Sequence, residues 1–224
     1  MNLKPITLLP ARERIAASLR KAIIGRDMME GEQITLDAIA GLLGVSKTPV
    51  REAFLMLESE GLIKLMPNRG AVVLGITPST VQQHFHIRAA LESEAAMMCC
   101  EPAVDISPIQ DVYLQSQEVI SQERMEDYSN LNQAFHVAIW RCSGNERMTN
   151  MLSVMWNGLS MRYMESLEDY AKKSFGEHGQ MLQCIETQNG EMARKMMYNH
   201  IMRSMNDMLT NLEKDNQRRE EQND

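Results

Sequence analysis

The sequence predicts a mainly α protein, an N-terminal winged helix-turn-helix followed by an all-α antiparallel helical bundle. Three observations lead there. Two short amphipathic stretches meet at a tight turn, Gly44-Val45, and are followed by two β-like runs around Pro67–Gly70. After Thr77 the apolar residues keep helical spacing and no stretch reads clearly as strand. The charge also divides at Ile76: residues 1–76 carry 10 Lys/Arg and 8 Asp/Glu, a balance of +2, whereas residues 77–224 carry 13 and 22, a balance of −9.

Composition narrows the class. The 224 residues are 44% hydrophobic and 24% charged, as in soluble globular proteins, and are enough for two domains with real cores. The opening MNLKPITLLPARER is cut by Pro5 and Pro10 and does not read as a signal peptide, and no run of 18 uncharged apolar residues suggests a membrane span. Cys99, Cys100, Cys142 and Cys184 form no C-x-x-C pair and read as reduced core cysteines of a cytoplasmic protein. The expected organisation is a domain over 1–76, a helical domain over 77–215, and a charged tail over 216–224 that frays into solvent.

The first expected helix lies within residues 11–26, with Ile15, Leu19, Ala22 and Ile23 on one face and Gly25 near its end. The second runs about Leu36–Leu43, N-capped by Thr35, with Leu36, Ile39, Ala40 and Leu43 inward. The third starts after Ser46 and turns Val50, Phe54 and Leu57 inward. Lys47, Thr48 and Arg51 share its other face, at a helix N-terminus whose free N–H groups suit phosphate. The runs Leu62–Met66 and Ala71–Leu74, joined by Pro67-Asn68-Arg69-Gly70, form a wing with Arg69 at its tip, placed to enter a DNA groove. Alone, any one of these basic residues would be an ordinary solvated charge; their joint placement points to nucleic acid.

The string LLGVSKTPVREAFLMLESEGLIKLMPNRGAVV, residues 42–73, resembles the winged-helix domain of the GntR family of bacterial transcription regulators. That family shows Thr-Pro-Val-Arg-Glu-Ala, then Glu-Gly-Leu and an Arg-Gly wing. The resemblance implies that Lys47, Thr48, Arg51, Asn68, Arg69 and Gly70 contact DNA. Lys47 stands where Arg is commoner, which keeps the charge and loses the bidentate fork.

In the C-terminal part, helix starts are expected at Thr77-Pro78 and Ser107-Pro108, a stop at Ser143-Gly144, and later helices over about Glu146–Tyr170, Ser174–Thr187 and Glu191–Asp215. His136 lies in NLNQAFHVAIW with Asn132 one turn before it. His178 and His200 are 22 residues apart, the spacing of matched positions on two helices joined by a short turn. Imidazoles on facing helices can hold a transition metal, though a histidine taken alone is more often a core or surface residue than a ligand. His84 and His86 read as surface or packing residues. The methionines at 148, 151, 155, 192, 196 and 205 read as core filler, some lining a cavity.

FHIRAALESEAA and NQAFHVAIWRCSGN, with His178 and His200 in the last two helices, resemble the helical effector domain of the FadR branch of GntR regulators, the FCD domain. The resemblance implies a divalent metal, zinc or nickel, on His136, His178 and His200, with Asn132 where the family has Asp. It also implies a small carboxylate effector against the metal, with Arg88 projecting into the same cavity; Arg88 is equally placed to pair with Glu92 one turn on. The expected function is a ligand-responsive transcription regulator, a homodimeric repressor released from a near-palindromic operator by an organic acid. The rival is a metal-dependent enzyme using the three histidines, against which the chain has no H-E-x-x-H and no second carboxylate placed as a base.

Overall fold

A computed structural model describes residues 10–25, 27–67, 69–159 and 167–223. The chain divides into two compact units, Met1–Thr80 and Val81–Asp224.

In the first unit α1 (Ala11–Ile24) packs on α3 (Lys47–Ser59), with α2 (Leu36–Leu43) and a three-stranded antiparallel sheet completing the core. The sheet order is β1 (Gln33–Ile34), β3 (Gly70–Val73), β2 (Ile63–Met66). Strand β1, absent from the sequence-based expectation, is two residues long and carries no periodic signal; it is held by the register Gln33 to Val72 and Ile34 to Ala71. Ile15, Leu19, Ile23, Val50, Phe54, Leu57, Ile63 and Val73 fill the core. Thr35 caps α2, its Oγ1 accepting from Ala38 N–H at 3.1 Å, and Gly44 takes the left-handed conformation (φ 64°) that turns the chain into α3. Two inward expectations change: Leu43, at the last residue of α2, is exposed, and Ala16 and Ile24 rather than Ala22 complete the buried face of α1. That face also buries Arg20, which donates from Nε to Glu60 at 2.7 Å.

The second unit consists of α4 (Pro78–Met98), α5 (Ser107–Ser121), α6 (Met125–Cys142), α7 (Glu146–Leu159), α8 (Leu167–Glu186) and α9 (Gly190–Asn223). Pro78 opens α4 and Thr77 caps it, its Oγ1 accepting from Thr80 N–H at 3.1 Å while Thr80 Oγ1 accepts from Thr77 N–H at 2.9 Å. Gly144, at φ 69°, follows the end of α6. α5 packs on α6 and α8, α6 on α7 and α8, and α8 on α9.

Three expectations are corrected here. The helix expected to run to Tyr170 is described as far as Leu159, and Tyr170 falls in α8, whose described part starts at Leu167, ahead of the expected start at Ser174. Ser174 lies inside α8: it is buried and its Oγ accepts from Arg203 Nη2 at 3.0 Å, while Glu168 and Asp169 occupy the first described turn, where a helix dipole favours them. The tail is helical too. α9 continues to Asn223 because nothing after Gly190 breaks it: no Pro or Gly follows. Of the six methionines read as core, Met148 and Met205 are buried, whereas Met151 and Met192 are exposed; Met181, Met197 and Met208, on the inward faces of α8 and α9, are buried instead. All four cysteines are free, and burial pushes the Cys100 thiol up to about 11 and Cys99 higher still. Among the described residues no helix is long and apolar enough to cross a membrane.

Candidate functional site

In the first unit α3 presents Lys47, Thr48 and Arg51, all exposed, on the side opposite Val50, Phe54 and Leu57. Ser46 occupies the N-cap position with extended backbone, but its side chain makes no capping hydrogen bond, so the first-turn N–H groups stay open to an anion. Lys47 is ion-paired with Asp37 at the surface. Arg51 and Arg69 line one cleft of about 630 Å³ between α2, α3 and the hairpin, which also includes Thr35, Asp37 and Pro67. Asn68 lies outside the described residues. Gly70 has a backbone reason to be glycine: its φ is 89°, and a Cβ there would stand 2.8 Å from Thr35 Cα and closer still to the Ile34 carbonyl oxygen. The wing can lie against β1 only because that position has no side chain.

In the second unit α6, α8 and α9 bring His136, His178 and His200 together. All three are buried, and their ligand nitrogens lie within 4.8 Å of one another. Each ring is held from behind. His136 Nδ1 meets Glu92 Oε2 at 2.6 Å, and His200 Nδ1 meets Glu177 Oε2 at 2.6 Å. His178 lies flat on Phe135, centroids 4.0 Å apart and planes 11° from parallel, with its Nδ1 3.5 Å from Tyr128 Oη.

With Nδ1–H donated to carboxylates, the partners assign lone pairs to Nε2 of His136 and His200. These two atoms face each other at 3.2 Å. As neutral rings, the two imidazoles set two lone pairs against each other at that distance, which either a shared proton or a shared cation relieves; two nitrogens each about 2.0–2.1 Å from one metal stand about 3.3 Å apart in tetrahedral geometry. His178 Nε2 and Asn132 Oδ1 are buried with no hydrogen-bond partner among the described residues. The three clustered imidazole nitrogens therefore fit a transition metal, and the Asn132 amide oxygen, one turn before His136, is a further buried acceptor that nothing described satisfies.

The electrostatics suit the same use. Burial, then the neighbouring His200 and His136, hold His178 well below the usual histidine range, and burial takes His200 down to about 4 despite Glu177. Burial alone would raise the Glu92 carboxyl, but Arg88 and His136 outweigh it and hold it at about 2. Glu177 is likewise held at about 2 by His200 and Arg203 against the effect of burial.

Arg88 is buried and bound to Glu92, its Nε 2.8 Å from Oε1, with its guanidinium 4.5 Å from the Trp156 ring centroid. His86 is exposed, while His84 Nε2 is buried without a partner among the described residues, and burial together with Arg88 lowers that ring to about 3.

The family profile described as "FCD domain" matches residues 83–203, and that described as "Bacterial regulatory proteins, gntR family" matches residues 11–73. The chain belongs to the GntR family and carries an FCD domain. It is a DNA-binding transcription regulator with a small-molecule effector domain, not an enzyme. An HTH-type transcriptional regulator in an unstable DNA locus of Streptomyces ambofaciens is 24% identical over 88% of this chain and 84% of its own length. The gluconate operon transcriptional repressor of Bacillus subtilis is 27% identical over 89% of this chain and 84% of its own. In fold, the regulator is similar to E. coli McbR/YncC, with a TM-score of 0.66, 20% identity, and coverage of 91% of this chain and 99% of that one.

The regulator's sequence identified the three histidines but not what holds them. Glu92 registered only as a one-turn partner of Arg88, and its contacts with His136 and with Trp140 Nε1 at 3.1 Å cross between helices. Glu177 passed unnoticed beside His178. The signal that paired His178 with His200 could have found it, since Glu177 lies 23 residues before His200 on the same hairpin.

Proposed function

We propose that the helical unit of this regulator holds a divalent transition metal on Asn132, His136, His178 and His200 and senses a small carboxylate beside Arg88. The observation that carries this reading is the pair of Nε2 atoms 3.2 Å apart, each with its Nδ1 committed to a carboxylate. Zinc and nickel both suit imidazole donors, and the bound ion would supply a Lewis-acid anchor for the effector carboxylate. Glu92 and Glu177 hold the Nδ1 side of His136 and His200 and keep both rings turned inward, Phe135 fixes the plane of His178, and Arg88, one turn before Glu92 on α4, provides positive charge.

On DNA, Lys47, Thr48 and the open N-terminus of α3 meet phosphate, Arg51 reaches base edges, and Asn68, Arg69 and Gly70 enter the adjoining groove as the wing. A single winged helix reads few base pairs, so the regulator works as a homodimer on a near-palindromic operator. It acts as a repressor: the effector prefers the DNA-incompetent state, and the difference between its two affinities releases the operator. The site of action is the cytoplasm.

The test uses purified full-length protein, its metal content, the thermal shift caused by metal and carboxylates, and retardation of its own upstream DNA. His136→Ala, His178→Ala and His200→Ala should each lower metal content and abolish the carboxylate-dependent thermal shift. Unchanged values in all three variants overturn the effector-site reading. A carboxylate that shifts melting and leaves DNA retardation untouched overturns the repressor mechanism.

A further inference from the structure

The charges around the three imidazoles are already spoken for. Glu92 gives Oε1 to Arg88 and Oε2 to His136 and Trp140. Glu177 gives Oε1 to Arg203 Nε at 2.7 Å, and Oε2 to His200 and to Arg203 Nη2 at 2.7 Å. Each carboxylate thus stands opposite an arginine, and both sit behind the rings, on the Nδ1 side. On the Nε2 side stand the three imidazole nitrogens, which bring no negative charge; one turn before His136 on α6 lies the Asn132 amide, equally without charge, which is 1% exposed and whose Oδ1 has no partner among the described residues.

A divalent cation entering this centre carries two positive charges into a buried region whose described charges are mutually paired. Burying charge without a counter-charge is costly. A carboxylate at position 132 would meet part of that charge from within the chain; the amide meets none.

We propose that this centre binds a divalent cation and an exogenous carboxylate as a thermodynamically coupled pair, each strengthening the other, because the chain's own donors to the cation are uncharged. The inference rests on the metal and carboxylate reading above and adds to it the energetic coupling that the uncharged donors impose. It also makes metal occupancy conditional on the effector. By linkage, the factor by which the anion tightens the metal equals the factor by which the metal tightens the anion.

The experiment titrates Ni²⁺ into the full-length protein in acetate or lactate and in perchlorate at equal ionic strength. The readout is quenching of tryptophan fluorescence, since the Trp156 ring lies 4.9 Å from that of His136. Acetate or lactate should tighten Ni²⁺ binding by about 5- to 150-fold. Asn132→Asp should tighten binding in perchlorate by at least about tenfold, as added ligand charge does, and shrink the carboxylate effect. Asn132→Ala, which keeps the donors neutral, should weaken Ni²⁺ binding and retain the carboxylate effect. Wild-type protein that binds Ni²⁺ equally in all three salts overturns the coupling and leaves the metal reading standing. So does an Asn132→Asp protein with wild-type affinity and undiminished carboxylate dependence. Wild-type protein that binds no Ni²⁺ in any salt overturns both.

Discussion

Removing the Glu92 side chain tests whether the helical unit is organised around that one buried carboxylate. The residue is 0% exposed and accepts from Arg88, His136 and Trp140. Its carboxyl is held at about 2 instead of 4.5, which corresponds to about 3 kcal/mol of stability at neutral pH. Because the folded value is the lower one, that stabilisation is complete above the unfolded value and is lost as pH falls from about 4.5 toward 2. Glu92→Ala also leaves Arg88 buried and unpaired, and breaking a buried pair from one side costs roughly 3–5 kcal/mol. The two routes agree on about 3–4 kcal/mol, or roughly 10 °C in Tm for a unit of this size. The assay is urea and thermal unfolding followed by circular dichroism, on Glu92→Ala, Arg88→Met and the double variant. The double variant should be less destabilised than the sum of the singles by about 2 kcal/mol, because it removes both charges together. A loss below about 1 kcal/mol in Glu92→Ala, or strict additivity, refutes the reasoning.

Other outcomes follow from the same geometry. Arg51→Ala should weaken operator binding by about 1–3 kcal/mol in gel retardation without changing the melting curve; unchanged retardation removes Arg51 from the interface. Gly70→Ala should destabilise the N-terminal unit by more than about 1 kcal/mol through the positive φ and the clash with Ile34 and Thr35, and an unchanged melt would show that the wing adjusts freely. His178→Leu should abolish Ni²⁺ binding while leaving metal-free stability equal or higher, because its Nε2 is buried without a partner; a large loss of metal-free stability would mean that the ring has a structural role.

Local periodicity carried far in this chain. The inward residues of α3, the Thr35 and Thr77 caps, the Gly44 turn and the hairpin around Pro67–Gly70 could all be read from neighbours within four residues, because helical and extended spacing are properties of short stretches. The same method failed where a residue had two uses. Ser174 was placed at a helix start and serves Arg203 from inside α8 instead, and Met151 and Met192 matched helical spacing yet are exposed.

The sequence alone determined the order and kind of the elements apart from β1 and the helical tail, the basic face of the third helix, and the three histidines with Asn132 one turn before the first. Tertiary structure decided the rest of the site. It tied Arg88 to Glu92, set Glu92 behind His136 and Glu177 behind His200, and turned two imidazole lone pairs toward one point. The reason is separation along the chain. His136 and Glu92 are 44 residues apart and His136 and His200 are 64 apart, so their meeting depends on how whole helices pack. Burial then fixes the charge that each partner can keep.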